Sequence, residues 1–355
     1  MSRRHLVLAI AILAVFALWP AGTGAAAPDV PGLDRAQAAQ DAHTDGLLAK
    51  AGVVGTAVGI GSDGRAVVRI YTARGGVAGL PAVLDGVPVV VDVTGPIVAL
   101  HHAPGHGGGP GGGGPGGGGG SSEPANTARW ERPVPIGIST GNARECSAGT
   151  IGARVRDGGG DVYALSNNHV YALSNAGTLG DRILQPGRYD TGCADSGNND
   201  LGTLADFEPI VFGGADNLMD AAIALTSEAA LGDSTPLAGY GRPMAGVVAP
   251  AVLGASVQKY GRTTSLTRGG ITGINAIVNV GYPGGTARFV GQIVVEGRGV
   301  LKSGDSGSLL VTDPGREPVG LLFAGTSSGR TGIASPIGPV LERFEVTVDG
   351  DGVGP

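Results

Sequence analysis

The 355-residue chain has few charged, aromatic and sulfur-containing side chains. Charged residues make up 15% of it and aromatic residues 4%, and the net charge is −6. No basic run occurs beyond the extreme N-terminus, which argues against a nucleic-acid partner. With 68 glycines and few aromatic residues, the composition favours β structure with tight turns over a helical bundle.

Long hydrophobic runs are also scarce, and the one at residues 6–18 follows two arginines, Arg3 and Arg4. The small residues 25–27 offer a cleavage site, so residues 1–27 are predicted to be an export signal peptide. An uncleaved anchor is the alternative, but the run falls short of the roughly 20 residues that span a bilayer. We expect a secreted or otherwise extracytoplasmic protein, with no stable membrane insertion after signal removal.

Only two cysteines occur, Cys146 and Cys193. In an oxidising compartment an even pair is most simply a disulfide, and two unpaired thiols are the alternative. A bridge between them would brace the region around His169, which lies between them in the sequence. Two cysteines alone give no reason to propose a metal site.

Residues 34–100 are predicted to form a small α+β N-terminal domain. An Ala-rich helix that Asp34 would cap is followed by β-branched runs at 53–60 and 66–72, around a Ser-Asp-Gly turn. At least one more strand is expected between residues 80 and 93. The unit is near the lower size limit for folding alone.

A Gly/Pro-rich linker follows at residues 101–128, and its composition predicts a flexible tether. His101, His102 and His106 stand at its start, where a metal site is the alternative to solvated side chains. No flanking scaffold would fix such ligands. We therefore expect neither a metal nor any other cofactor.

Residues 129–348 are predicted to form an all-β domain, because short apolar segments recur between turn residues. A closing helix is expected at 337–344, and residues 349–355 are predicted to be a tail. The predicted strands lie at 151–155, 162–165, 218–225, 255–260, 270–280, 289–295, 308–311 and 319–323.

The segment 303–308, Ser-Gly-Asp-Ser-Gly-Ser, could carry a nucleophile. Its small residues allow a sharp turn that exposes the Ser306 hydroxyl, with backbone amides converging where an oxyanion would lie. The alternative is an ordinary turn, since the same residue types dominate turns.

His169 is the only histidine in the β domain and follows a predicted strand. A base at a strand end can be aimed into a cleft, and together with the serine loop this favours general-base catalysis over a structural role. Asp220 leads directly into an apolar strand, where it could be buried against the imidazole and orient it. Asp200 and Asp206 are the competing candidates for the acid.

The order His169, Asp220, Ser306 differs from that of α/β-hydrolases and subtilisins. Together with the β-rich domain, it resembles the chymotrypsin-like (trypsin-fold) serine peptidases, in a divergent bacterial secreted form. The segment 260–264, Tyr-Gly-Arg-Thr-Thr, is similar to a strand of those bacterial members. The resemblance covers residues 129–348.

This resemblance implies a double β-barrel of two six-stranded barrels with the cleft between them. Ser306 would be the nucleophile, His169 the general base and Asp220 its orienting acid. The amides of Gly304 and Ser306 would form the oxyanion hole. Asn167 and Asn168 depart from the family pattern, since animal relatives carry two alanines there.

The substrate backbone would pair with Phe323, Ala324 and Gly325, as in the family. Val300, six residues before the nucleophile, would line the base of the primary pocket. A valine there predicts a small or apolar side chain before the scissile bond, and does not favour Arg or Lys.

The resemblance implies a secreted serine endopeptidase acting on polypeptides through an acyl-enzyme. A non-catalytic peptide-binding relative and an esterase are the alternatives. The N-terminal domain would resemble a pro-region that inhibits the enzyme intramolecularly and is removed at the linker, or would stay attached as a separate binding domain.

Overall fold

A computed structural model describes residues 30–100, 123–195 and 197–352. The predicted signal peptide and the three linker histidines lie outside the described residues. Three α-helices occur in the described parts: α1 (Leu33–Leu48), α2 (Asn168–Tyr171) and α3 (Ile337–Phe344). No helix within those ranges is long and apolar enough to cross a membrane.

Twenty strands and two short 3₁₀ helices, Leu173–Asn175 and Arg188–Thr191, make up the rest of the regular structure in the described residues. The N-terminal part contains β1 (Val53–Ile60), β2 (Ala66–Thr72), β3 (Val83–Leu84), β4 (Val87–Val93) and β5 (Ile97–Ala99). The next group is β6 (Ser139–Asn142), β7 (Gly149–Thr150), β8 (Ala153–Asp157), β9 (Val162–Ser166), β10 (Arg182–Leu184), β11 (Asp200–Phe207), β12 (Asp216–Asn217) and β13 (Ala222–Thr226). The last group is β14 (Ser256–Gly261), β15 (Ser265–Tyr282), β16 (Gly285–Glu296), β17 (Leu309–Thr312), β18 (Pro318–Thr326), β19 (Thr331–Pro336) and β20 (Val346–Val348).

The N-terminal domain has the predicted α+β composition. Helix α1 buries Ala36, Ala39 and Leu47 against β1 and β2, and these strands have the predicted bounds. The predicted cap is wrong: Gly32, with φ of 84°, occupies the N-cap and makes no side-chain cap. Asp34 instead lies in the first turn, where its charge still favours the helix dipole.

One sheet of the β domain follows the order β20-β8-β9-β13-β11-β10-β6-β7. The chain runs from β7 directly into β8 near the other end of this path, so the sheet curls back on itself. Its interior is filled by aliphatic side chains such as Ile138, Ile151 and Leu204. The predicted strands at 151–155, 162–165 and 218–225 overlap β8, β9 and β13, although β13 begins only at Ala222.

The second sheet contains a closed ring of six strands. Strands β14 to β19 pair in the order β16-β19-β18-β17-β14-β15, and β15 pairs in turn with β16. This ring and the first curled sheet confirm the predicted all-β architecture of two barrels, although the first sheet has eight strands and not the predicted six. Helix α3 has the predicted bounds and packs Ile337, Val340 and Phe344 into the core between the sheets.

The N-terminal domain extends this second sheet and does not form a separate one. Strand β1 pairs antiparallel with β15, with Gly55 opposite Val278 and Thr56 opposite Ile277, and β2, β4 and β3 follow. The small domain therefore completes its own hydrophobic core on the β domain, where Leu253 contributes a side chain.

The predicted C-terminal tail is anchored where it begins. Asp349 accepts a hydrogen bond from Arg154 Nε at 2.8 Å and also pairs with Arg156. Asp351 pairs with Arg316 at 2.8 Å. These ion pairs fix residues 349–351 to the β domain.

Candidate active site

His169 lies in the short helix α2, which begins directly after β9. Strand β13 pairs antiparallel with β9, with Ala222 opposite Ser166. This register places Asp220, two residues before Ala222, beside the helix that carries His169. The predicted position of the histidine at a strand end is thus the position it occupies.

Both carboxylate oxygens of Asp220 bind His169. Nδ1 of His169 lies 2.5 Å from Oδ2, and the backbone N–H of His169 donates to Oδ1 at 3.2 Å. Both side chains are buried. A carboxylate held against Nδ1 fixes the tautomer with hydrogen on Nδ1 and directs basicity to Nε2.

The two competing aspartates lie elsewhere. Asp200 pairs with Arg182 at 2.5 Å, and Asp206 pairs with Arg343 at 2.9 Å. Both carboxylates are exposed to solvent, with side-chain exposures of 52% and 44%. Neither therefore shares the buried environment of His169.

Tyr282 provides a further contact to the acid that the sequence did not reveal. Its hydroxyl donates a hydrogen bond to Oδ2 of Asp220 at 2.8 Å. Its ring packs edge-on against the imidazole of His169, with ring centroids 6.0 Å apart. Burial and the neighbouring Asp220 charge raise the pKa of Tyr282 well above its usual value, so the hydroxyl keeps its proton.

The two asparagines that depart from the family pattern are both structural. The Asn167 amide donates to the backbone oxygen of Asp220 at 2.7 Å. The Asn168 amide donates to Glu208 O at 2.6 Å and to Asn175 Oδ1 at 2.8 Å. Alanines could make neither set of bonds: Asn167 ties the start of α2 to Asp220, and Asn168 ties α2 to the residue after β11 and to Asn175.

The Ser306 loop packs directly against the His169 region. Thr150 N–H donates to the carbonyl oxygen of Ser306 at 2.8 Å. A Cβ at Gly307, where φ is 92°, would lie 2.3 Å from both Ser166 Oγ and Thr150 O. Only glycine fits this close approach at positive φ, which explains the residue after the serine.

The carboxylate of Asp305 fixes the serine loop through hydrogen bonds. It accepts hydrogen bonds from Thr263 N, Thr264 N and Lys302 N at 2.9, 3.1 and 2.8 Å, and one from Thr264 Oγ1 at 2.7 Å. The Nζ of the buried Lys259 lies 3.4 Å away. The predicted Gly-Arg-Thr-Thr segment thus contributes its two threonines to the serine loop.

Arg262 of the same segment binds the other sheet. Its guanidinium forms a buried ion pair with Asp190, with Nε 2.8 Å from Oδ2. Its backbone N–H donates to Thr150 Oγ1 at 3.0 Å, and that hydroxyl donates to Gly304 O at 2.8 Å. The serine loop is therefore fixed to both sheets.

Gly304, a predicted oxyanion-hole residue, has φ of 95°. Its backbone N–H donates to the carbonyl oxygen of Leu100 at 2.9 Å. Leu100 is the last described residue before the linker. A backbone carbonyl from the N-terminal domain thus occupies the position where this amide would meet a substrate oxygen.

The predicted substrate-binding strand is β18, which pairs with β17 and β19 in the ring and, at residues 324–326, also with β5. Ala324 lies opposite Ala99 and Gly325 opposite Val98 in an antiparallel ladder. The N–H of Leu100 donates to Phe323 O at 3.1 Å. Ser306 Oγ lies 3.3 Å from that same carbonyl oxygen.

Val300, predicted to line the primary pocket, is buried and belongs to the same apolar cluster as Leu100. Leu301 is in that cluster and also approaches Gly325, where a Cβ would lie 2.5 Å from its Cδ1. The buried surroundings of Leu100 are therefore aliphatic at these positions.

Cys146 and Cys193 form the predicted disulfide, with Cα atoms 5.0 Å apart. The bridge links the β6–β7 connection to the segment that follows Asp190, the partner of Arg262. Within the described ranges no group of three or more His, Cys, Asp or Glu side chains could hold a metal ion.

No family model and no curated protein matches the chain. Three solved structures to which it is similar are a glutamic acid specific serine protease that utilises a histidine triad in substrate binding, protease A of Thermobifida fusca, and a chymotrypsin of Cellulomonas bogoriensis. Their sequence identities are 21%, 22% and 21%, and their TM-scores are 0.44, 0.43 and 0.42. Each similarity covers 61% of this chain and 99–100% of the other. The solved structures that this chain is similar to thus include chymotrypsin-like serine proteases of bacteria, the group that its motifs resemble.

Proposed function

We propose that the protein is a secreted serine endopeptidase that hydrolyses peptide bonds through an acyl-enzyme. The observation that carries the proposal is the buried pair of His169 and Asp220, in which both carboxylate oxygens bind the histidine next to the Ser306 loop. This burial and orientation are typical of a histidine that acts as a general base, and not of a histidine in a surface ion pair.

In this mechanism Ser306 Oγ attacks the substrate carbonyl carbon and its proton passes to His169. Asp220 keeps the imidazole in place and stabilises the imidazolium that forms. The negative charge on the carbonyl oxygen is met by the amides of Gly304 and Ser306. Removing one such donor typically costs 10²–10³ in kcat.

The experiment is labelling of the purified protein with a fluorophosphonate probe, beside Ser306→Ala. We expect a labelled band for the wild-type chain, or for its peptidase fragment, and none for the variant. Labelling that persists in Ser306→Ala, or is absent from both proteins, would sink the proposal. Turnover of a p-nitrophenyl ester without cleavage of any peptide would favour an esterase instead.

We further propose that the N-terminal domain inhibits the enzyme intramolecularly. Ser306 has no exposed surface while β5 lies along β18, so a substrate has no access to it. Fluorophosphonate labelling should be slower for freshly purified full-length chain than for peptidase from which residues 28–100 have been cleaved and separated. Equal labelling rates would contradict this inhibition.

Export rests on the signal-like residues 1–27 and is compatible with the disulfide. N-terminal sequencing of the protein recovered from the medium or periplasm tests it. Mature protein that begins close to residue 28 is the expected result.

A further inference from the structure

We infer that the peptidase cleaves its own chain on the carboxyl side of Leu100, and that its primary pocket therefore selects a leucine-like side chain. This inference rests on the proposed function and names the substrate class of the same site. The inference depends on how residues 97–100 lie along strand β18.

The backbone of Leu100 makes two contacts that a bound substrate needs, one through its N–H and one through its carbonyl oxygen. Leu100 donates its N–H to Phe323 O at 3.1 Å and accepts from Gly304 N–H at 2.9 Å through its carbonyl oxygen. The first bond fixes the peptide plane before the carbonyl. The second places the carbonyl oxygen on an amide two residues from Ser306.

The segment is also held along its length. Val98 and Ile97 continue the antiparallel ladder opposite Gly325 and Thr326, and Val98 pairs on its other side with Gly281 of β15. A strand bracketed by two neighbours fixes the register, since a slip by one residue would turn every side chain to the other face. Leu100, and no neighbouring residue, is therefore the acyl residue.

The side chains of residues 97–100 differ in how deeply they are buried. Leu100 is 3% exposed and belongs to the aliphatic cluster that contains Val300 and Leu301, whereas Val98 is 37% exposed. Ile97 is buried in a second cluster with Phe323 and Ala324. A charged side chain in place of Leu100 would be buried among aliphatic groups at high cost, because a buried charge needs a partner.

The chemical step follows the proposed mechanism. Ser306 Oγ forms a bond to the Leu100 carbonyl carbon while its proton passes to His169. The bond to the nitrogen of the next residue then breaks, and that nitrogen takes the proton and leaves as an amine. Water hydrolyses the Leu100 ester, which restores Ser306 and leaves a carboxylate on Leu100.

The first test is to purify the chain from residue 28 onward as wild type and as Ser306→Ala, and to determine intact masses and N-terminal sequences. We expect a wild-type fragment that begins at His101, and an intact Ser306→Ala chain. A fluorophosphonate-reactive wild type with a different new N-terminus, or with none, would overturn the inference and leave the proposed function standing. Absence of labelling would instead overturn the proposed function.

Matched substitutions separate the pocket from the strand. Leu100→Asp should slow cleavage at this bond by at least about a hundredfold, because the carboxylate would be buried. Val98→Asp places the same charge on the half-exposed position and should change the rate by less than about threefold. Equal effects of the two substitutions would contradict a pocket for Leu100.

An assay on separate peptide substrates tests the same specificity if Leu100→Asp fails to fold. The processed peptidase is assayed on Ile-Val-Ala-X-p-nitroanilides with X as Leu, Arg or Glu. We expect kcat/KM for Leu to exceed the other two by about a hundredfold or more. A value for Arg or Glu that equals or exceeds the value for Leu would overturn the specificity.

An independent observation concerns the acid. The geometry points to Tyr282 as a positioning residue, which holds Asp220 through its hydroxyl at 2.8 Å. Oδ2 of Asp220 thus receives two donors, Tyr282 and His169 Nδ1. The Tyr282 ring is itself fixed by edge contact with Phe212 and by packing on Phe289.

Tyr282→Phe removes only the hydroxyl, and Tyr163→Phe is its matched control. Tyr163 likewise donates to a carboxylate, Asp157 at 3.2 Å, but at the turn between β8 and β9. For Tyr282→Phe we expect kcat to fall about tenfold to a hundredfold, with KM within twofold of wild type. A kcat equal to that of Tyr163→Phe, or a loss expressed in KM alone, would overturn the positioning role.

Discussion

Replacing Lys259 with methionine tests how the serine loop is supported. Nζ of Lys259 is fully buried and lies 3.4 Å from the fully buried Asp305 carboxylate. Methionine has a similar volume and fills the space, but it leaves Asp305 without a cation. The substitution therefore removes the charge, together with the hydrogen bonds from Nζ to Thr264 Oγ1 and Ser265 O, and keeps the packing.

The magnitude follows from what remains around Asp305. Breaking a buried ion pair by removing one partner typically costs 3–5 kcal/mol. Four hydrogen bonds to the carboxylate persist, from the backbone of Thr263, Thr264 and Lys302 and from the Thr264 hydroxyl. These bonds place the expected loss in the free energy of unfolding at the lower end, about 3 kcal/mol.

The assay is equilibrium unfolding in urea, in a Ser306→Ala background that prevents self-digestion. With an m-value of about 3 kcal/mol per molar, the midpoint should fall by about 1 M. Arg268→Met is the matched control, since Arg268 pairs with Asp313 at 2.9 Å but is 60% exposed, and such pairs contribute at most about 1 kcal/mol. Equal midpoint shifts for Lys259→Met and Arg268→Met would refute the reasoning.

Three further predictions concern stability. Replacing both Cys146 and Cys193 with serine should lower the free energy of unfolding by about 4 kcal/mol, because the bridge closes a loop of 47 residues, and an unchanged urea midpoint would contradict this. Gly307→Ala should lower the free energy of unfolding by at least about 1 kcal/mol more than Gly64→Ala does, as measured in parallel urea titrations. Both glycines have positive φ, but of the two only Gly307 has atoms within 4 Å of an added Cβ. Burial raises the pKa of Tyr171, so its contribution to stability is fully present below its unfolded pKa near 10 and is lost as the pH rises further. The part of the phenolate absorbance at 295 nm that is missing in Tyr171→Phe should therefore appear together with loss of the circular dichroism signal, and its appearance in the folded protein would refute this.

The local signals in the sequence were sufficient for most elements. The turn at Ser62-Asp63-Gly64 bounded β1 and β2, and the closing helix expected at residues 337–344 has those bounds in α3. The cap of α1 could not be predicted in this way, because Gly32 begins the helix through its backbone conformation alone.

The contacts that depend on distant parts of the chain were not predictable from local patterns. Tyr282 and Lys259 are ordinary strand residues in the sequence, and only the folded sheets bring them to Asp220 and Asp305. Strand β5 has three residues in a Pro- and Gly-rich context, and its partner β18 lies more than 200 residues further along the chain. No local pattern records such a pairing.

The pairing of β1 with β15 has a consequence for the proposed removal of the N-terminal domain. Along one side of β15, residues 265–270 pair with β14 and residues 274–278 pair with β1. Departure of the N-terminal domain would convert this second stretch into an exposed edge strand, with unpaired backbone groups near Ile277 and Val278. Such an edge is a template for pairing with another chain. Removal of the domain would thus open access to the nucleophile and at the same time expose a surface prone to self-association. Light scattering of the processed protein can detect this self-association.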